Sequence, residues 1–198
     1  KRIKIFEQST SVSAPPKREY VRKTYIYKNT IGDQIGEQQK LRILSDFKDK
    51  GEELIEEGQR LQNDKEFLEA YQAYSQAEEY LQDPQASLFI SMANTALGIK
   101  DEEDSNEKVL ISSNKGLALE RLDNKDKYAL LHTKLAVFTR KQNAEKSSNI
   151  AEEMFDIALT PKQQIVPCIT LAFSCLLKKD FSNGLEWADY GIKIDPEN

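Results

Sequence analysis

Two stretches of 31 residues decide the fold: LIEEGQRLQNDKEFLEAYQAYSQAEEYLQDP at 54–84 and CITLAFSCLLKKDFSNGLEWADYGIKIDPEN at 168–198. In each stretch, small and apolar residues recur at offsets of three and four, which places them on one face of a helix. A short polar segment divides each stretch into two such patterns, and a proline follows the second pattern. Each stretch therefore predicts a pair of helices joined by a tight turn.

The spacing of small residues extends this pattern along most of the chain. One three-residue pattern occurs four times. It begins with a small residue, continues four positions later with a bulkier or small residue, and ends three positions after that with another small residue. Its copies are Ala70/Tyr74/Ala77, Val109/Ser113/Gly116, Ala151/Phe155/Ala158 and Gly184/Ala188/Gly191. Small side chains on one helix face let a second helix approach closely. From about Gln38 to Ile194 the chain predicts helices of about 12–17 residues. Turn-forming residues separate these helices at 63–64, 83–84, 98–106, 123–125, 141–143, 160–161 and 179–180.

The two quoted stretches resemble the tetratricopeptide repeat family, whose units are helical pairs of about 34 residues. The match rests on Leu54, Gly58, Leu61, Ala70, Tyr74, Ala77 and Pro84, and again on Leu171, Ala172, Gly184 and Pro196. The resemblance implies an all-α solenoid of about four hairpins, at about 51–84, 85–120, 125–159 and 161–198. The second repeat contains extra acidic residues at 101–104, which we interpret as a solvated insertion.

Residues 1–37 predict a basic, extended N-terminal arm before the helical region at 38–198. Residues 1–30 hold eight basic and two acidic side chains, whereas the whole chain has a net charge of −5. Basic and aromatic side chains alternate in this arm at Arg18, Arg22, Lys23, Tyr25 and Tyr27. A solvated tail, an anchor on an acidic protein surface and a nucleic-acid contact all fit this pattern. The acidic remainder of the chain would repel phosphate, so we favour the acidic protein surface.

The composition argues against several classes of protein. No apolar run approaches the roughly 18 residues of a membrane span. Two cysteines, Cys168 and Cys175, fit buried thiols and a reducing intracellular compartment. The cytoplasm is favoured, with the mitochondrion as an alternative. His132 is the single histidine and has no sequence partner for catalysis. No phosphate-binding loop or metal-ligand pattern is present, so we expect neither an enzyme nor a cofactor.

The family resemblance gives one ligand that can be checked residue by residue. Some tetratricopeptide domains bind chaperone C-termini through a carboxylate clamp of Lys, Asn and Arg. The matching positions here are Ile55, Gln59 and Ala93, so the clamp is absent.

Apolar residues occupy the expected concave face instead. The resemblance implies a groove for an amphipathic helix or apolar peptide. Its members would be Phe89, Ala93 and Ala96 in the second repeat and Ile169, Phe173 and Leu176 in the fourth. Alternatively, these residues pack between repeats.

The last predicted helix carries two apolar stripes. Gly184, Leu185, Ala188 and Gly191 should meet its partner helix, which leaves Trp187, Tyr190 and Ile194 as a second stripe. We expect this second stripe to be open to solvent and to pack on another subunit. The alternative is cover by Lys193 and the basic arm.

Together these features predict a non-enzymatic scaffold or adaptor that interacts with other protein subunits, as a structural part of a large multiprotein assembly. A mobile co-chaperone-like or peptide-binding receptor is the main alternative. An accessory domain of an enzyme is a third.

Overall fold

The computed structural model describes residues 37–195, and the regular secondary structure within that range is entirely helical. This confirms the predicted all-α class. Eight helices follow one another in this range: α1 (Glu37–Asn63), α2 (Phe67–Tyr80), α3 (Ala86–Ala96), α4 (Glu102–Leu117), α5 (Asn124–Arg140), α6 (Ala144–Ile157), α7 (Pro161–Leu177) and α8 (Phe181–Ile194). The predicted arm lies outside the described residues, and so do its proposed contact residues Arg18, Arg22, Lys23, Tyr25 and Tyr27.

Three of the turns share one backbone geometry. Segments 64–66, 141–143 and 178–180 each join two helices, and each contains one residue with positive φ: Lys65 at 63°, Gln142 at 50° and Lys179 at 61°. In each turn the following N–H donates to the carbonyl five residues earlier, as Asp180 does to Cys175 at 2.8 Å. This left-handed helix end satisfies carbonyls that the helix leaves unpaired. The sequence thus folds three times into the same tightly turned helical pair.

The helices pack mainly in chain order. Each helix contacts the next one, and α3 also contacts α5. One hydrophobic core joins residues of α1 to α5, and a second joins Leu131 and Leu135 of α5 to Ile150 and Met154 of α6. The last helix, α8, contains no buried residue. Burial therefore decreases toward the C-terminal end of the described chain.

The small residues of the first pair are contact points between helices. Ala70, Tyr74 and Ala77 of α2 are fully buried. A β-carbon built on Gly58 of α1 would lie only 2.7 Å from the Tyr74 ring. Because the absent side chain of Gly58 makes room for this ring, α1 and α2 pack closely.

Helix α1 is longer than expected, at 27 residues. Its N-terminal half packs beside the end of α2, where the rings of Phe47 and Tyr80 lie 5.7 Å apart. Gly51 is close to Leu81, since a β-carbon there would be 2.8 Å from the leucine side chain. These contacts stabilise about four more turns of helix than a first repeat beginning at about residue 51 required.

The acidic residues 101–103 are exposed, as we expected, but segment 101–104 begins a helix and is not a loop insertion. Asp101 is the N-cap of α4, and its carboxylate accepts a hydrogen bond from the Asp104 N–H at 2.8 Å. Glu102 and Glu103 lie in the first helical turn. Acidic side chains are favourable there because the first N–H groups and the helix dipole are positive. The segment is therefore a helix start.

Candidate interaction surface

Local sequence signals determine where α7 and α8, the last helical pair, begin. Thr160 caps α7 in a capping box with Gln163, and Pro161 occupies a first-turn position where no hydrogen-bond donor is needed. Asp180 caps α8 and accepts from the Asn183 N–H at 3.4 Å. The residues at which α7 and α8 begin are therefore specified locally, within a few residues of each helix start.

Two glycines and two cysteines form the contact between α7 and α8. A β-carbon on Gly191 would lie 3.5 Å from Cys168 Cβ, and one on Gly184 would lie 3.4 Å from Cys175 Cβ. Cys168 is buried and Cys175 is half-buried, and both thiols are free. Burial raises the pKa of each thiol. Cys168 is thus confirmed as a buried core residue, and both thiols are held in the protonated, unreactive form at neutral pH.

A second side of α8 faces α6. The Phe155 ring lies 5.5 Å from the Trp187 ring and 5.6 Å from the Tyr190 ring. Trp187 and Ile194 are half-buried, while Tyr190 is 42% exposed. The expectation that this stripe is open to solvent is therefore wrong for Trp187 and Ile194. The Phe155 ring of α6 covers Trp187, which the repeat pattern of α8 alone could not show.

A third side of α8 and one side of α7 are apolar and exposed. Phe181, Leu185 and Ile192 lie at offsets of four and seven on α8, and they are 61%, 66% and 57% exposed. On α7, Ile169 and Phe173 are 57% and 42% exposed. Leu176 and Leu177 continue the α7 stripe and are also exposed.

Both stripes lie on the side turned away from α6. On α8, the glycine contact with α7 separates the exposed residues from Trp187, which faces α6. On α7, the same contact separates the exposed residues from Leu171 and Ser174, which are buried. We name this surface the C-terminal apolar face; it consists of Ile169, Phe173, Leu176, Leu177, Phe181, Leu185 and Ile192.

The predicted groove residues have different positions. Ile169 and Phe173 are exposed, as we expected, but Phe89 is 3% exposed and Ala93 is fully buried. Helix α3 contacts α2, α4 and α5, so neither residue can line an open groove. The alternative, in which the α3 residues pack between helical pairs, is therefore correct. One signal was present in the sequence, since α3 contains no charged side chain.

The expected orientation of α8 also needs correction. Leu185 and Ala188 were expected to face α7, but both are exposed. Gly184 and Gly191, by contrast, do lie against α7. The spacing of Phe181, Leu185 and Ile192 could have indicated a separate apolar stripe, because residues at these offsets share one helix face.

Two other features are ordinary surface. A shallow depression on α1 is lined by ion pairs within one helix, such as Lys50–Glu53 at 2.5 Å and Arg60–Glu57 at 2.7 Å. The hydrogen bond from Arg60 lowers the pKa of Glu57. His132 is exposed on α5, and partial desolvation lowers its pKa. Within residues 37–195 no side chain forms a hydrogen bond with His132.

Comparison with known proteins does not assign the chain to a family. No protein-family model matches the chain, and no curated protein matches it at a significant level. Among the described helices, none is both long enough and apolar enough to cross a membrane. The part of the chain in the structure also has no group of three or more His, Cys, Asp or Glu side chains that could hold a metal ion.

Proposed function

We propose that this protein is a non-enzymatic scaffold or adaptor, built as a tetratricopeptide-like solenoid, that holds other protein subunits in a larger assembly. The C-terminal apolar face is the observation that carries this proposal. Its seven side chains are between 41% and 66% exposed. Because a large apolar side chain has about 150–250 Å² of surface and these are about half exposed, the seven together present roughly 700 Å² of apolar surface. The largest apolar patch of a typical monomer is about 300–600 Å².

The repeated turns support the solenoid part of the proposal. Lys65 and Lys179, which share one turn geometry, are 114 residues apart, and so are Ala70 and Gly184. The two quoted stretches therefore agree in backbone conformation as well as in residue spacing. Stacking of such pairs in chain order is how repeat proteins build extended binding surfaces.

The peptide-receptor alternative has less support. It needs a continuous apolar groove along the second and fourth repeats, but Phe89 and Ala93 of the second repeat are buried. Only the fourth-repeat members Ile169, Phe173 and Leu176 are exposed and available for such a groove. A subunit interface on the C-terminal apolar face uses seven exposed apolar side chains of α7 and α8, so we favour the scaffold.

The basic arm belongs to the same proposal. Residues 1–30 carry a net charge of +6, which suits an acidic surface on a neighbouring subunit. Such an arm would strengthen attachment at low salt and matter less at high salt.

Site-specific photocrosslinking in the source cells tests the proposal. A photoreactive amino acid at Leu185 should form adducts with protein. The same amino acid at Leu41 of α1, which is 62% exposed, is the matched control because it has similar exposure on another helix. Mass spectrometry then identifies the crosslinked chain. Absence of any protein adduct from Leu185, or equal adducts from both sites, would contradict the proposed scaffold.

A further inference from the structure

Within the described chain, the first helical pair shows what covers this kind of face. With the spacing of 114 residues, Phe67 and Tyr71 of α2 occupy the positions of Phe181 and Leu185 of α8. The Phe67 ring packs on the next pair, where a β-carbon built on Gly98 would lie 2.7 Å from it. Tyr71 is 8% exposed and shares a 3.3 Å hydrogen bond with Ser112 of α4. The next helical pair therefore covers these positions of α2, whereas Gln59 and Asn63 of α1, which are equivalent to Phe173 and Leu177 of α7, are exposed.

The third pair, α5 and α6, also contacts the next pair, but through a different position of its second helix. Phe155 of α6 occupies the position that Tyr74 has in α2 and Ala188 has in α8. Trp187 and Tyr190 of the following pair pack on the Phe155 ring. In the fourth pair, Phe181 and Leu185 of the C-terminal apolar face are equivalent to the covered Phe67 and Tyr71 of α2, and no described element covers them. The geometry of this face thus suits another antiparallel pair of helices.

The charge of the fourth pair favours a second copy of the chain as the source of that pair. Residues 161–195 contain four lysines and four acidic residues, so they are neutral. Residues 37–80, which form α1 and α2, contain six basic and twelve acidic residues. Two copies that meet through their fourth pairs do not bring like net charges together, whereas contact through the first pairs would.

The size and shape of the face also suit a symmetric dimer. Roughly 700 Å² of apolar surface is close to the about 800 Å² that each partner contributes to a stable protein interface. The small Ala188 lies among the larger residues of the α8 stripe, at a point where a second helix can approach closely. In a two-fold dimer each copy contributes the same patch to the interface, so α8 of each copy can pack beside α7 of the other.

We propose that the chain forms a two-fold symmetric dimer through the C-terminal apolar face. The fourth helical pair of the second copy covers Phe181 and Leu185 of α8, as the following pair covers Phe67 and Tyr71 of α2. This inference rests on the proposed scaffold function and deepens it, because a dimer would present two copies of every other surface to the assembly.

Sedimentation velocity on the purified full chain, at roughly 1–100 μM, tests the dimer. We expect a reversible monomer–dimer equilibrium. Leu185→Glu adds two carboxylates to each dimer interface and should weaken association by about 100-fold or more. Leu41→Glu is the matched control and should leave the equilibrium unchanged. Because the face is apolar, the dimer should persist when the salt concentration is raised from about 0.15 to 0.5 M.

Ile169→Glu provides a second variant on α7 and should weaken the dimer similarly. Both substituted side chains are more than half exposed, so far-UV circular dichroism should show unchanged helix content. The inference is overturned if the wild-type chain is monomeric at all these concentrations or if Leu41→Glu weakens the dimer equally. Loss of the dimer at high salt also overturns it and would indicate association through charge.

The two proposals fail in different ways. A monomeric chain whose Leu185 crosslinks to a different protein in cells refutes the dimer and supports the scaffold. A chain without any protein adduct in cells refutes the scaffold itself.

Discussion

Replacement of Gly58 by alanine tests how closely α1 and α2 pack. The new β-carbon would lie 2.7, 2.8 and 2.9 Å from three atoms of the Tyr74 ring. Relief of this overlap needs a displacement of about 0.5–1 Å. Tyr74 is fully buried, and its hydroxyl donates a 3.1 Å hydrogen bond to Gln62 Oε1. The ring therefore cannot move freely, and the two helices must separate.

The expected cost follows from two opposing contributions. Overpacking of a well-filled core destabilises by about 1–3 kcal/mol, and the buried ring places Gly58→Ala in the upper half of that range. Alanine in place of glycine within a helix contributes about 1 kcal/mol in the opposite direction. The net loss in the free energy of unfolding is about 1–2 kcal/mol. For a chain of this length, Tm should fall by about 3–6 °C.

Gly191→Ala is the matched control. Its β-carbon would lie 3.5 Å from Cys168 Cβ, which is an ordinary contact, so the gain in helix propensity dominates. We expect this variant to be about 0.5–1 kcal/mol more stable than the wild type. Urea unfolding followed by far-UV circular dichroism measures both variants. Changes of the same sign in the two variants would refute the assigned contact.

A double-mutant cycle with Tyr74→Leu tests the named partner. The ring that causes the overlap is absent from this background, so Gly58→Ala should no longer destabilise the protein. If Gly58→Ala still lowers the free energy of unfolding in the Tyr74→Leu background, the close contact lies elsewhere.

Three further predictions follow from the other contacts. Asp101→Ala should lower the free energy of unfolding by about 1 kcal/mol because α4 loses its cap, while Asp101→Asn should stay near the wild type in urea unfolding. The pKa of Cys168 is raised above its ordinary value of 9.0, so the unfolded chain loses this proton first. The contribution of this thiol to the free energy of unfolding is complete below pH 9 and decreases as pH rises through the raised pKa. Urea unfolding at about pH 8 and 10 measures this decrease, and Cys168→Ala should lack this extra pH dependence. Phe155→Ala should shift Trp187 emission to longer wavelength and increase its quenching by iodide, since Phe155 covers this indole; unchanged quenching would contradict the ring contact.

Much of the helix order was predictable because the signals are local. Turns after Asn63, Arg140 and Leu177 lie where polar residues interrupt the apolar spacing. The start of α4 was missed although its signal was also local. Asp101 is a favoured N-cap residue and acidic residues follow it, but we interpreted the charge as solvation rather than as a helix start.

The residues of the candidate surface were only partly predictable. Ile169 and Phe173 are exposed as expected, whereas Phe89 and Ala93 have the same apolar character and are buried. Apolar spacing identifies a helix face, but it does not identify what lies against that face. For α3 three neighbouring helices supply the cover, and for α7 only one side is covered.

The sequence alone determined that the chain is helical, where most helices end and which residues share a face, because hydrogen bonding and side-chain direction in a helix depend on near neighbours. Only the tertiary structure decided which faces are covered. Trp187 and Leu185 are two positions apart on α8, yet the first packs on Phe155 and the second is 66% exposed. That difference depends on the placement of α6, more than 20 residues earlier in the chain, and no local pattern in α8 contains it.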